Sequence, residues 1–229
     1  MNVESRNRGL AALLDRLSHA PRRQLAFATL LTGLAGFVDA VGYVQLGHFY
    51  LSFMSGNSTH LGMSLAVSGW ADAVTAGAII LAFVMGAFLG TLLYDKGGLL
   101  RVIVVLAAEL AIFLIAIALA TRGSVGAALI PVAAAMGTQN VLRQIIAGAD
   151  VGKGFISGSL FGLGQSLAGL VQGKSRGRQA VANGLSWVAF VMGVVLGTSV
   201  FAAIGLPASL ALVSVVITLM IAAVSAGWL

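Results

Sequence analysis

The segment FMSGNSTHLGMSLA (residues 53–66) recurs as FISGSLFGLGQSLA (residues 155–168), 102 residues further along the chain. Nine of the fourteen paired positions are identical or exchange Asn for Ser. An apolar chain rich in Gly produces isolated matches by chance, but a chance match of this length and density is not expected. The repeat therefore points to an internal duplication.

Two further matches occur in the same order. Residues 82–91 contain AFVMG followed by LGT, and residues 189–198 repeat both elements. The segment GFVD at residues 36–39 is more weakly similar to GTQN at residues 137–140. We therefore predict a tandem duplication with its halves at 24–121 and 122–229, preceded by a basic segment at 1–23 that is either an amphipathic surface helix or a frayed tail.

The composition is typical of an integral membrane protein. Hydrophobic residues make up 59% of the chain and charged residues only 9%, whereas a soluble domain has about 25% charged residues. The absence of Cys excludes disulfides and thiolate sites. The net charge of +6 comes from residues in short loops, so it indicates contact with the lipid bilayer rather than with nucleic acid. We predict no metal site and no cofactor.

A spanning helix needs about 20 apolar residues. Six segments satisfy this length, and they are residues 24–47, 73–94, 99–121, 126–148, 179–204 and 207–228. The two repeated motifs are more polar. If each motif crosses the membrane, the fold has eight crossings and parallel halves. If each motif is a re-entrant or broken helix, the fold has six crossings and an inverted 3+3 repeat.

The distribution of Lys and Arg favours the second arrangement, because cytoplasmic loops are enriched in these residues. With a cytoplasmic N-terminus, eight crossings place nine of the 13 basic residues inside and four outside. Six crossings place twelve inside and one outside. We therefore expect an all-α polytopic protein of the bacterial inner membrane, with an inverted internal repeat and two re-entrant or broken helices.

Three short patterns resemble the YoaK-like family of bacterial inner-membrane proteins. They are Gly36-Phe37-Val38-Asp39-Ala40, Phe53-Met54-Ser55-Gly56-Asn57 and Met136-Gly137-Thr138-Gln139-Asn140. Ser55 stands where that family usually has Thr, which keeps the hydroxyl group. The resemblance covers about residues 24–228. It implies a multi-pass membrane protein of a family classed as a domain of unknown function, with no established substrate.

Polar residues at membrane depth are the candidate functional residues, because they are costly there. The expected substrate path comprises Asp39, Ser55, Gly56, Asn57, His60, Gln139, Asn140, Arg143, Ser157, Gly158 and Ser159. Seven of them also have a structural alternative: an ion pair or a hydrogen-bonded helix contact for Asp39, an interfacial position for Arg143, an interior hydrogen bond for His60, and helix N-caps for Ser55, Asn57, Ser157 and Ser159. Glu109 is a proton-coupling candidate or a neutral hydrogen-bonded acid.

Rows of small residues permit close helix packing. The row around Gly86 and Gly90 matches the row around Gly193 and Gly197. These rows form either the contact between the halves or the face of a homodimer. No catalytic motif occurs in the sequence, so we expect no enzyme. The leading hypothesis is a carrier for a small polar or anionic solute; the alternatives are a channel, a membrane enzyme on lipid and a non-transporting scaffold.

Overall fold

The fold comes from a computed structural model that describes the backbone of residues 3–94, 98–146, 156–174 and 176–228, and the side chains of the same ranges from residue 22 onward except 143–146. Within these ranges the protein is all-helical, with seven helices and no strand. The helices are α1 (Val3–Leu46), α2 (Met54–Ala66), α3 (Trp70–Tyr94), α4 (Leu99–Thr121), α5 (Val125–Ile146), α6 (Ile156–Val171) and α7 (Gly177–Ser225).

Five of the described helices are long and apolar enough to cross a membrane. They account for most of each of the six segments expected from the sequence, because α7 covers two of them. At 49 residues, α7 is about 74 Å long, more than twice the hydrocarbon thickness of about 30 Å. Its helical geometry breaks at Gly205, where φ is 74° and ψ is −178°. Pro207 then lies in the first turn after the break, where a missing N–H is tolerated.

The two motif helices are shorter. Helix α2 has 13 residues and α6 has 16 residues, which correspond to about 20 Å and about 24 Å. Both lengths fall short of the hydrocarbon core of about 30 Å. Helix α2 packs on α3, and α6 packs on α7. Most residues of both helices are exposed or half-buried, so each motif lies at the edge of the bundle.

The backbone of the basic N-terminal segment is helical from Val3 and runs without a break into the first span. This continuity follows from the helix-forming Leu, Ala and Arg residues of the segment. The side chains before residue 22 lie outside the described part of the chain, as does the predicted interfacial role of that segment.

Glycines bring two pairs of helices into close contact. On α3, Gly86 lies against the backbone of Ala134 on α5, and Gly90 lies against Thr138. On α7, Gly193 lies against Gly33 of α1, and Gly197 lies against Phe37. A Cβ atom at Gly86, Gly193 or Gly197 would overlap a carbonyl oxygen of the partner helix. These small-residue rows therefore form contacts inside one chain.

Each close contact joins the first half of the chain to the second. Contact positions rise together along both helices, from Gly33 with Ala189 to Phe37 with Gly197, so α1 runs parallel to the first part of α7. The same order holds for α3 and α5. Helix α4 packs on α5 and α7. The core therefore consists of side chains from both halves, and it includes Phe27, Phe113, Leu129, Met136 and Ile217.

Candidate functional site

The chain between α1 and α2 forms an irregular loop at residues 47–53. It leaves α1 through two residues with positive φ, Gly47 at 66° and His48 at 88°. The His48 N–H donates to the carbonyl of Tyr43 at 3.0 Å, which closes the end of the helix. Leu51 is fully buried and Phe49 is 5% exposed. The loop therefore returns into the protein, and its backbone polar groups need partners.

Asp39 supplies partners for one part of this loop. Its Oδ1 atom accepts the backbone N–H of Leu51 at 2.8 Å and that of Ser52 at 2.6 Å. Its Oδ2 atom accepts the hydroxyl of Ser52 at 2.8 Å. Asp39 is 2% exposed, so its carboxyl group ties the loop to α1 inside the protein. Irregular backbone at membrane depth is tolerated when its polar groups are satisfied in this way.

Asn57 supplies hydrogen-bond partners for the loop residue that precedes Leu51. Its Oδ1 atom accepts the N–H of Tyr50 at 2.9 Å, and its Nδ2 atom donates to the Tyr50 carbonyl at 2.7 Å. The side chain is fully buried. Helix α2 begins at Met54, with Phe53 in the capping position and no side-chain cap. The prediction that Ser55 or Asn57 caps this helix is therefore wrong, because Asn57 binds the loop and Ser55 is exposed.

Aromatic rings cover the loop. The rings of Tyr43 and Tyr50 are 5.1 Å apart, and the ring of Phe53 meets that of Tyr50 edge-on at 5.2 Å. A Cβ atom at Gly56 would lie 2.6 Å from the Phe53 ring and 2.9 Å from the Tyr50 ring. Gly56 thus allows α2 to approach this cluster. Burial, and then the neighbouring Tyr43 and Asp39, raise the pKa of the Tyr50 phenol.

His60 lies on the same helix, half-buried, with its ring 5.4 Å from that of Phe49. Its role in a substrate path stays a prediction.

The second motif presents a different surface. Ser157 and Ser159 lie inside α6, which begins at Ile156, so neither occupies the N-cap position that the sequence suggested. Ser157 is exposed, Gly158 is half-buried and Ser159 is 8% exposed. In the described part of the chain, α6 is packed on α7 rather than on α2. Asn57 and Ser159 therefore belong to helices that pack on different partners, α3 and α7.

The remaining polar candidates lie in the core. Glu109 on α4 is fully buried, and Gln139 on α5 is 1% exposed. The Nε2 atom of Gln139 has no hydrogen-bond partner among the described residues. Asn140 is half-buried. The side chain of Arg143 lies outside the described residues, so its place in the substrate path stays a prediction.

Three polar contributors were missing from the sequence-based set. The Ser52 hydroxyl donates to Asp39. The Thr138 hydroxyl donates to the Gly86 carbonyl at 3.0 Å and so links α5 to α3. Asn183 is 5% exposed and lies beside Gly162, where α6 contacts α7. For Thr138, the signal was its place beside Gly137 in the GTQN segment. For Asn183, it was an amide in an otherwise apolar helix.

Comparison with known proteins gives one family and one relative. Residues 27–224 match the family described as "Protein of unknown function (DUF1275)". The "UPF0700 transmembrane protein YoaK" of Bacillus subtilis (strain 168) is 32% identical over 68 residues, which is 30% of this chain and 30% of that protein. No solved structure matches. Since the family match extends over most of the chain, including both motifs and the core helices, this protein belongs to the DUF1275 family of membrane proteins with unknown function.

Proposed function

We propose that the protein is a carrier-like membrane transporter for a small polar or anionic solute, with its site at the interface between the halves. The observation that carries this proposal is the buried amide of Gln139, whose Nε2 atom has no hydrogen-bond partner among the described residues. Buried donors are nearly always paired in proteins, and an exception calls for an explanation. A solute that accepts this hydrogen bond is the explanation we adopt.

Glu109 supports the same location. It is fully buried on α4, and α4 packs on both α5 and α7. Ionisable residues inside membrane proteins are costly and usually functional. We assign Glu109 the role of the proton-coupling group, near a solute that contacts Gln139 on the neighbouring helix. In this proposal the polar site lies in the core. The motif loop at residues 47–53 has a structural role, and Asp39 and Asn57 fix its position by hydrogen bonds.

We also propose that the halves are inverted duplicates. The glycine contacts support this because they occur in matching pairs. Gly36 lies against Phe190 as Gly137 lies against Phe83, and Gly33 lies against Gly193 as Ala134 lies against Gly86. All of these residues lie in or beside the repeated segments. In each half, the helix that contains the GFVD or GTQN segment thus packs against the small-residue row of the other half.

Helix lengths support the inverted orientation. With α2 and α6 too short to cross, the first half has α1, α3 and α4 as spans, and the second half has α5 and the two parts of α7. Three crossings per half give the halves opposite orientations. Carriers with inverted repeats bind substrate near the midplane at the repeat interface, which is the location proposed for Gln139 and Glu109.

The test is solute flux into proteoliposomes that contain the purified protein. A panel of small polar and anionic solutes is screened with and without a pH gradient. We expect saturable uptake of at least one solute. Gln139→Leu should reduce this uptake at least tenfold, because it removes the unpaired donor. Ser214→Ala is the matched control, since the buried Ser214 hydroxyl donates to Leu210 in its own helix.

Glu109→Gln tests the coupling role. It keeps the size of the side chain and removes its charge, so uptake should lose its response to the pH gradient while the protein stays folded. An unchanged response would leave Glu109 with a structural role only. Flux that never saturates would favour a channel. The lack of flux for every solute, with protein correctly folded, would contradict transport.

A further inference from the structure

A groove of about 770 Å³ runs along the contact between α1 and α7. On α1 it extends from Arg22 to Phe37, and on α7 it extends from Leu185 to Val216. Gly33 and Ala189 lie next to each other in it, and their small size lets the two helices approach closely. The groove is separate from Gln139 and Glu109, neither of which lines it.

The groove surface is apolar except at one end. Among its lining residues in the described part of the chain, only Arg22 and Thr29 carry polar side chains, and the Thr29 hydroxyl oxygen is buried. The rim consists of exposed hydrophobic side chains, with Leu30 at 44%, Met192 at 51% and Leu196 at 53% exposure. Both helices are candidate membrane spans. The groove therefore opens toward hydrocarbon along its length.

Arg22 lies just before the apolar segment 24–47 of the first span, and its side chain is exposed. From Arg22 to Phe37 the helix rises about 22 Å, whereas one leaflet of the hydrocarbon core is about 15 Å thick. An acyl chain whose headgroup lies at Arg22 can therefore follow the groove through its whole leaflet. The groove volume of about 770 Å³ is in the range of about 300–1,000 Å³ typical of small-ligand sites.

We propose that this groove binds one phospholipid with an anionic headgroup. The guanidinium of Arg22 contacts the headgroup phosphate, and one acyl chain lies over Gly33 between α1 and α7. Basic side chains at the membrane end of an interhelical groove favour anionic lipids, and a guanidinium pairs with phosphate through two parallel hydrogen bonds. The lipid covers the glycine contact that joins the halves.

The experiment measures lipid binding by native mass spectrometry of the full chain released from detergent. Phosphatidylglycerol and phosphatidylcholine with identical acyl chains are titrated separately. The wild-type protein should bind one phosphatidylglycerol about fivefold more tightly than phosphatidylcholine, the factor expected for one basic side chain near the lipid surface. Arg22→Gln should remove this preference. Arg23→Gln is the matched control, because Arg23 does not line the groove, and it should keep the preference.

A second variant tests the acyl part of the site. Ala26→Leu places a larger side chain in the groove and should weaken binding of both lipids, while size-exclusion chromatography and circular dichroism report on folding. Equal binding of both lipids by the wild-type protein would overturn the proposal, and so would a preference that survives Arg22→Gln. If the wild-type protein is a dimer without a retained lipid, and Ala26→Leu dissociates that dimer, the groove would bind a second copy of the chain instead. Inorganic phosphate should not compete with phosphatidylglycerol for the groove.

Discussion

Replacing Asp39 by Leu should release the loop at residues 47–53 from α1. The variant keeps side-chain bulk and removes the acceptor of three hydrogen bonds, two from the backbone of Leu51 and Ser52 and one from the Ser52 hydroxyl. Hydrogen bonds to a charged group contribute about 1.5–3 kcal/mol each. Loss of the two backbone bonds alone therefore predicts about 3–6 kcal/mol of local destabilisation.

Hydrogen–deuterium exchange measures this effect directly. In micelles, the amides of Leu51 and Ser52 should exchange at least about 100-fold faster in Asp39→Leu than in the wild-type protein, since 1.4 kcal/mol corresponds to a factor of ten. Asp39→Asn should show a smaller change, because the amide oxygen can still accept both N–H groups. Thr32→Val is the matched control on α1, since the Thr32 hydroxyl donates only to Ala28 of its own helix. Wild-type exchange rates in Asp39→Leu would refute the assigned role of the carboxyl group.

Gly193→Ala should destabilise the protein by about 1–3 kcal/mol, because its Cβ atom overlaps the Gly33 carbonyl. Gly184→Ala on the same helix places its Cβ atom in open space and should leave the stability unchanged. Equal unfolding midpoints of the two variants in SDS titrations would contradict the close contact at Gly193. Asn57→Leu should lower the free energy of unfolding by about 2 kcal/mol or more, because it leaves both backbone groups of Tyr50 unpaired. An unchanged unfolding midpoint would contradict this role of Asn57. For topology, single cysteines are introduced into this Cys-free chain at exposed positions 100 and 124. The inverted repeat predicts that impermeant maleimide labels position 124 from outside and not position 100, whereas eight crossings predict the reverse.

The sequence predicted the spans well, because 20-residue apolar segments have few alternatives to crossing a membrane. It also identified Gly86 and Gly193 as close-packing positions. It did not identify the partners of these glycines, since α1 meets α7 across more than 150 residues. Periodicity describes one helix and contains no information on its neighbour.

The motif loop was harder to predict for a related reason. Ser55 and Asn57 are residue types that commonly cap helices, and local preference favoured that role. In the structure, Asn57 binds the backbone of Tyr50, a contact that depends on the path of the loop. Asp39 binds residues that follow it by 12 and 13 positions. Tertiary contacts of this kind override local propensity, and they are specified by the fold as a whole.

The glycine contact between α1 and α7 has a consequence for biosynthesis. Gly33 is translated 156 residues before Ala189 reaches it, which at about 5–20 residues per second takes about 8–30 s. During that interval Gly33 lacks the α7 residues that pack on it in the finished fold. Helices α3 and α5 need only about a third of that wait, because Gly86 and Ala134 are 48 residues apart. The ribosome therefore completes the central α3–α5 pair well before it delivers the α7 residues that pack on Gly33.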